Sequence, residues 1–360
     1  MNPVPVSVIG GYLGAGKTTL VNRWLREAHA RGLRLAVLVN DFGEIGIDAD
    51  LIVARRDDVI ELAGGCVCCS GGGDLVAALD RLRARTPAPD RILLETSGVA
   101  LPGTVAATAR LAEGVAVDPV LVLADATTVR ARADDTYVGD TVLRQLARAE
   151  RLLLSRVDLA DAAALAGLRA WLAALIPSVP VGIAADEPLP TMAGSVGSQA
   201  AAAAQAGASG PAIVEPGERT VGVVGGLAGS APLAAGATAA RLAFESLSAR
   251  FEGPVDLPGL AHDLGDPGLG LERAKGIVGG PGDRPWSIEL AGGSVQVSPL
   301  AAPIDGTPRD EGLAAGRIVF IGPRARIDRN ALRSLIARHG GVVAGDVVAG
   351  DPVAGSEGAS

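Results

Sequence analysis

The sequence predicts an α/β architecture: a mainly parallel sheet covered by helices on both faces, followed by a small α+β domain. Three observations carry this. Short apolar runs alternate with amphipathic stretches through the first half of the chain. The first apolar run ends in a glycine-rich loop that opens a helix. After a break rich in Ala, Gly, Ser and Pro, alternating strand patterns return and close on a helix. The expected divisions are 1–184 for the first domain, 185–240 for a flexible linker, 241–340 for the second domain and 341–360 for a Gly-rich disordered tail.

The elements follow in order. Val4 to Gly10 is an apolar strand ending in glycines, Thr18 to Arg31 an amphipathic helix, and Leu35 to Asn40 a second buried strand. A helix over Asp74 to Arg85 precedes strands at Arg91 to Thr96 and Pro119 to Ala124. Then come a helix at Thr141 to Glu150, a strand at Arg151 to Leu154, a helix at Asp161 to Leu175 and a strand at Val179 to Ile183. In the linker, the alanines at 200–204 allow one short helix. The second domain reads as strands Leu242 to Phe251, Leu271 to Val278, Trp286 to Leu290, Val295 to Val297 and Arg317 to Ile321, with a helix over Arg329 to His339.

The 360 residues are 48% hydrophobic and 20% charged, enough apolar material for two cores. Aromatics make up 2%, so those cores must be aliphatic. A formal net charge of −8 argues against a chain held mainly by DNA phosphates or anionic lipid. The uncharged run Thr220 to Ala240 is dominated by Gly, Ala, Ser, Thr and Pro, a poor membrane span. No basic, apolar leader precedes the first strand, so a cytoplasmic location is expected. Lys17 and Lys275 are the only lysines among 32 basic residues, which makes each informative.

Gly11-Tyr12-Leu13-Gly14-Ala15-Gly16-Lys17-Thr18 fits G-x4-G-K-[ST] between a strand and a helix. Glycines let backbone N–H groups wrap phosphates, and the helix start favours their charge. Lys17 reaches the outer phosphates, and the Thr18 hydroxyl can bind Mg²⁺. Ile92-Leu93-Leu94-Glu95-Thr96-Ser97-Gly98 then supplies a buried strand ending in a carboxylate. Glu95 is placed to hold Mg²⁺ through water, and Gly98 to follow the γ-phosphate. A ligand-free glycine turn and a solvent-facing Glu are the plain alternatives.

The chain's three cysteines, Cys66, Cys68 and Cys69, lie within four positions. Thiolates suit Zn²⁺ or Cu(I), and three of them leave one tetrahedral position open, which suits transfer better than storage. The C-x-x-C spacing of Cys66 and Cys69 leaves redox chemistry open, as it does buried, unliganded cysteines. Flanking glycines argue for an accessible loop. Asp41 and Glu44 follow the second strand as carboxylate partners, Asp41 toward Mg²⁺ and Glu44 toward the thiolate-bound metal; an ordinary polar loop is the alternative. His29, His262 and His339 are isolated and read as core or solvated histidines.

Gly11 to Leu20, Asn40-Asp41-Phe42-Gly43-Glu44, Gly65-Cys66-Val67-Cys68-Cys69 and Glu95-Thr96-Ser97-Gly98, taken in order, resemble the CobW-like family of P-loop GTPases, a group of metallochaperones. In the second domain, Arg273-Ala274-Lys275-Gly276 and Arg317 to Gly322 look like that family's C-terminal domain. The resemblance implies nucleotide contacts from Gly11, Gly14, Ala15, Gly16, Lys17, Thr18 and Thr19. It also implies GTP hydrolysis with Mg²⁺, and delivery of Zn²⁺, in some members Co²⁺, to a client metalloprotein through the cysteines. Nucleotide would order the loops around Asp41, Glu44 and the cysteines, and hydrolysis would relax them.

Two departures stand out. Where such GTPases carry Asn-Lys-x-Asp against guanine, this chain has Ser155-Arg156-Val157-Asp158. Asp158 keeps the guanine acceptor, while Ser155 lacks the amide and Arg156 replaces the lysine stem, so guanine preference is expected to be weakened. The His-rich stretch of many members is also missing, against bulk metal storage. A zinc- or redox-responsive switch that docks on a large partner without metal transfer is the second functional reading. A P-loop kinase or ATPase with incidental cysteines is the third. Lys275 serves either the second domain's fold or a client surface, and dimerisation stays open.

Overall fold

Two sheets, one parallel and one antiparallel, organise the computed structural model, which describes residues 3–39, 52, 59–61, 73–190, 244–281, 284–301 and 315–347. The first domain contains β1 (Val4–Gly11), α1 (Lys17–Ala30), β2 (Leu35–Val39), β3 (Val59–Glu61), α2 (Gly73–Arg83), β4 (Arg91–Glu95) and α3 (Pro102–Ala109). It continues with β5 (Val115–Val117), β6 (Leu121–Asp125), α4 (Val129–Ala133), α5 (Gly139–Ala147), β7 (Arg151–Ser155), α6 (Ala162–Leu175) and β8 (Val181–Ile183). Its strand order is β3-β2-β4-β1-β6-β7-β8, with β5 added beside β1. All of these pairings are parallel.

The strands are apolar on both faces because helices cover both. On one face, Val37, Val39, Leu93, Leu123 and Leu153 meet Leu20, Val21, Trp24, Leu25 and Ala28 of α1. On the other, Val6, Val8, Leu38, Ile92, Leu94, Val122 and Leu154 join a core with α2, α3, α5 and α6. The period of two in the strands decides which core each side chain enters. Trp24, fully buried at the centre of α1, also donates from Nε1 to the Glu187 carbonyl at 3.1 Å.

The second domain contains β9 (Phe244–Glu252), α7 (Leu257–Leu264), β10 (Arg273–Gly279), β11 (Pro285–Ala291), β12 (Ser294–Pro299), β13 (Ala315–Pro323), α8 (Arg329–Arg338) and β14 (Gly341–Val347). They form an antiparallel sheet ordered β12-β11-β10-β13-β9-β14. Phe251, Ala274, Ile288, Leu290, Ile318 and Phe320 make one core with Leu257, Leu260 and Leu264 of α7 and Leu332, Leu335 and Ile336 of α8. Phe244, Val319 and Ile321 belong instead to the first domain's core, so one face of this sheet docks on the parallel one.

The α/β class with an appended α+β domain is therefore what the chain forms. Two expected boundaries move. Residues 341–347, read as the start of a disordered tail, form β14 against β9, across a register shift at Val343 and Gly345. Residues 185–190, read as linker, pack on α1: Leu189 is buried and its N–H donates to Glu27 Oε2 at 3.1 Å. The remainder of the linker, with its alanine run, lies outside the described residues. Three helices had no strong periodic signal. α3 is built of small residues all round, α4 has five residues, and α7 starts at a Leu-Pro pair. No helix of the described residues is long and apolar enough to cross a membrane.

Candidate functional site

β1 runs into the P-loop, whose Gly11, Gly14 and Gly16 have φ of 134°, 75° and 91°. At Gly11 a Cβ would stand 2.3 Å from the Leu123 carbonyl oxygen, so side chain and backbone conformation both exclude other residues there. α1 begins at Lys17 without a side-chain cap, leaving its first amides to the loop cavity. Lys17 is 5% exposed; its Nζ donates to the carbonyls of Gly11 at 2.9 Å and Tyr12 at 3.3 Å. The lysine thus lies folded along the loop that it would leave to meet phosphate.

Thr18 donates its hydroxyl proton to Glu95 Oε1 at 2.8 Å. Glu95 ends β4, in register with Ile9 of β1, and is buried at the mouth of the loop. A hydroxyl and a carboxylate are hard oxygen donors at hydrogen-bond distance from each other beside a helix start. That donor set fits Mg²⁺ with a nucleotide's phosphates. The Thr96 N–H donates to the Ile9 carbonyl at 2.9 Å, carrying β4's pairing past its end. Gly98 then passes so close to Leu13 that a Cβ would meet its Cδ2 at 2.5 Å.

The loop opens on a cavity of about 380 Å³. Gly14, Gly16, Lys17, Thr18 and Thr19 line its P-loop end, and Ser155, Arg156 and Asp158 its other wall. β7 ends at Ser155, the chain turns through Arg156 at φ 52°, and Asp158 follows in a short 3-10 turn. Ser155 packs on the P-loop: its Cβ lies 3.7 Å from a Cβ built at Gly16. Arg156 pairs with Asp125 Oδ2 at 2.7 Å, which draws its guanidinium toward β6. Ala184 and Ala185 complete this wall, their carbonyls held by the guanidinium of Arg23 on α1.

The second domain enters the same site, which its residue patterns did not foretell. Arg273, Glu289 and Gln296 line the cavity, and Lys275 Nζ donates to Thr18 Oγ1 at 3.1 Å. Lys275 thus reaches from the second domain to the first residues of α1. A Cβ on Gly14 would stand 2.3 Å from Ala291 Cβ. Tyr12, buried in the loop, lies against Phe244 at a ring separation of 6.4 Å. Burial first, and the Glu272 carboxylate second, raise its pKa well above the usual phenol value, so the hydroxyl stays protonated.

Gln145 was also not anticipated. Fully buried on α5, it donates to the carbonyls of Gly98 at 2.9 Å and Ala100 at 2.8 Å, holding the loop after Glu95. A lone glutamine on an amphipathic helix gives no signal of this. Asp41, Glu44, Cys66, Cys68 and Cys69 lie outside the described residues. Their segments are flanked by β2, β3 and the start of α2.

A family model described as "CobW/HypB/UreG, nucleotide-binding domain" matches residues 5–182. The chain is 34% identical over 194 residues to "Zinc chaperone CobW" of Sinorhizobium sp, covering 46% of this chain and 54% of that protein. It is 37% identical over 172 residues to "Zinc chaperone YjiA" of Escherichia coli (strain K12), covering 45% of this chain and 52% of that one. The chain thus spans a little over half the length of these curated relatives. A solved structure, that of the Zn(II)-bound YjiA GTPase from E. coli, aligns over 94% of this chain and 99% of its own at 21% identity and a TM-score of 0.41.

Proposed function

Through residues 5–182 the chain belongs to the CobW/HypB/UreG nucleotide-binding family, and from that membership we propose that it hydrolyses GTP and hands a transition metal, zinc first and Co²⁺ second, to a client metalloprotein. The observation that carries the nucleotide half is the constellation of Lys17, Thr18 and Glu95 around the left-handed glycines of the loop. The cargo half is supported by the relatives named zinc chaperones and by the soft-ligand chemistry of Cys66, Cys68 and Cys69. Clustered thiolates of this kind persist as ligands in a reducing compartment, which favours the cytoplasm.

The chain's own residues divide the work. Backbone N–H groups from Gly14 to Thr18 receive the phosphates, and Lys17 exchanges the carbonyls of Gly11 and Tyr12 for phosphate oxygens. Thr18 would hold Mg²⁺ directly and Glu95 through water; when bound, the ion would supply positive charge to the phosphates. Asp158 accepts from the guanine ring. With Ser155 in place of an amide and Arg156 drawn to Asp125, discrimination against adenine rests largely on Asp158. Gly98, held by Gln145, follows the γ-phosphate. Glu44 and the three cysteines hold the cargo, and Asp41 stands on the Mg²⁺ side.

The test is a Zn²⁺ titration of the full chain without nucleotide, with GDP and with a non-hydrolysable GTP analogue. It is repeated for Cys66→Ala, Cys68→Ala and Cys69→Ala. A nucleotide-dependent affinity that each substitution abolishes is expected. Equal affinity in all three states would sink the coupling, because a nucleotide shifts metal binding only through a difference in affinity. Equal turnover of ATP and GTP would remove the guanine assignment.

A further inference from the structure

Thr18 joins two charges that come from different domains. Its single proton goes to Glu95, so toward Lys275 it acts as acceptor, and the ammonium stands 3.1 Å from the oxygen assigned to Mg²⁺. Lys275 is 6% exposed and sits on β10, whose neighbours fix it: Val319 of β13 on one side and Glu289 of β11 on the other. Glu289 pairs in turn with Gln296 of β12, and both line the nucleotide cavity.

We propose that Lys275 is a built-in competitor of Mg²⁺, and that loading the site drives its ammonium off Thr18 toward Glu289. The inference rests on the reading of Thr18 and Glu95 as the Mg²⁺ side of a nucleotide site. The Lys275 ammonium stands on the hydroxyl that donates to Glu95, and so brings positive charge to the carboxylate's side of a buried setting. A divalent ion bound to the same hydroxyl would lie within a few ångströms of it, where like charges repel strongly at low effective dielectric. The two cations therefore exclude one another. Glu289 stands opposite Lys275 in the sheet register and gives the displaced ammonium a carboxylate within its own domain. Lys275 thereby makes the seating of the second domain's sheet on the P-loop depend on whether Mg²⁺ and nucleotide are present.

The experiment measures binding of a fluorescent guanine diphosphate to the full chain as Mg²⁺ is titrated. Lys275→Met and Lys275→Gln should reach half-maximal Mg²⁺-dependent binding at a Mg²⁺ concentration lower by about fivefold or more. Lys275→Arg, which keeps the charge, should stay near the native value. Should the Met variant fail to fold, the Gln variant reads the same quantity, since it can still donate to Thr18. An unchanged or higher Mg²⁺ requirement in the neutral variants, with native binding intact, overturns this inference alone. A native chain that binds no nucleotide at any Mg²⁺ concentration overturns it together with the phosphate-site reading.

Discussion

Arg132 lays its guanidinium over the ring of Tyr12, 5.0 Å from the ring centroid, and at the same time forms an ion pair with Glu272. A residue of α4 thus clamps a P-loop side chain on one side and the second domain on the other. Replacing it with Ala removes a cation–π contact and leaves Glu272 to Arg326, 3.5 Å away. The expected cost is roughly 2–4 kcal/mol of stability, read from the urea midpoint and slope. Nucleotide affinity should fall as well, because Tyr12 loses its backing.

Gln145→Leu keeps the volume and removes both donors to the loop after Glu95. Two buried carbonyls lose a partner, at about 1–3 kcal/mol each in the limit of no relaxation. Gln145→Glu should be at least as damaging, since a carboxylate cannot donate to Gly98 and Ala100. Thermal unfolding of both variants checks this, and the Leu variant should also discriminate less between GTP and GDP.

Gly98→Ala drives a methyl into Leu13, including its backbone nitrogen at 2.9 Å. Leu13 belongs both to the P-loop and to the first domain's core, so the clash loads both. Nucleotide affinity should drop by about tenfold or more, with a lowered thermal midpoint beside it. An affinity within twofold of native would show that the loop can yield there.

Lys17→Ala removes the cation that would meet the outer phosphates, a charge-assisted contact whose loss corresponds to about a tenfold to hundredfold weaker triphosphate binding. Fluorescence titration with a GTP analogue reads this directly. Zn²⁺ affinity measured without nucleotide should be unchanged in the same variant, which separates the two ligand sites.

Asp90 illustrates a pH effect away from the site. A side-chain hydrogen bond from Arg34 holds its pKa below the usual carboxylate value, burial opposes this, and the Arg34 backbone N–H helps. A depressed carboxylate contributes stability above its unfolded pKa and loses it as pH falls through the folded value. Asp90→Asn should thus destabilise by less than about 1 kcal/mol near neutrality, because Arg34 is half exposed. The difference from the native chain should vanish in acid below the carboxylate range, as denaturant midpoints across pH would show.

Much of the first domain was legible because its signals are local. The P-loop is eight consecutive residues, and Glu95 ends a run of apolar neighbours that can only be a strand. Lys275 is the contrary case. Its scarcity in an arginine-rich chain marked it as special, yet its partner lies 257 positions away, and no spacing rule spans that distance. β14 escaped notice because glycines dilute its alternation, and only its pairing with β9 makes it a strand. α3 escaped because Ala, Thr and Gly on every side give no polar face to contrast with a buried one. The thiolates stand out by composition alone.

Arg23 gives one more consequence. It lies on the helix that starts at Lys17, and it gathers carbonyls of the chain segment that walls the opposite end of the cavity. The ends of the cavity proposed for phosphate and for base are therefore hinged on one rod. A fragment that fills one end, such as pyrophosphate, should preorder the other for a bare nucleoside, so the two halves of the ligand ought to bind each other's vacancies cooperatively although no covalent bond joins them.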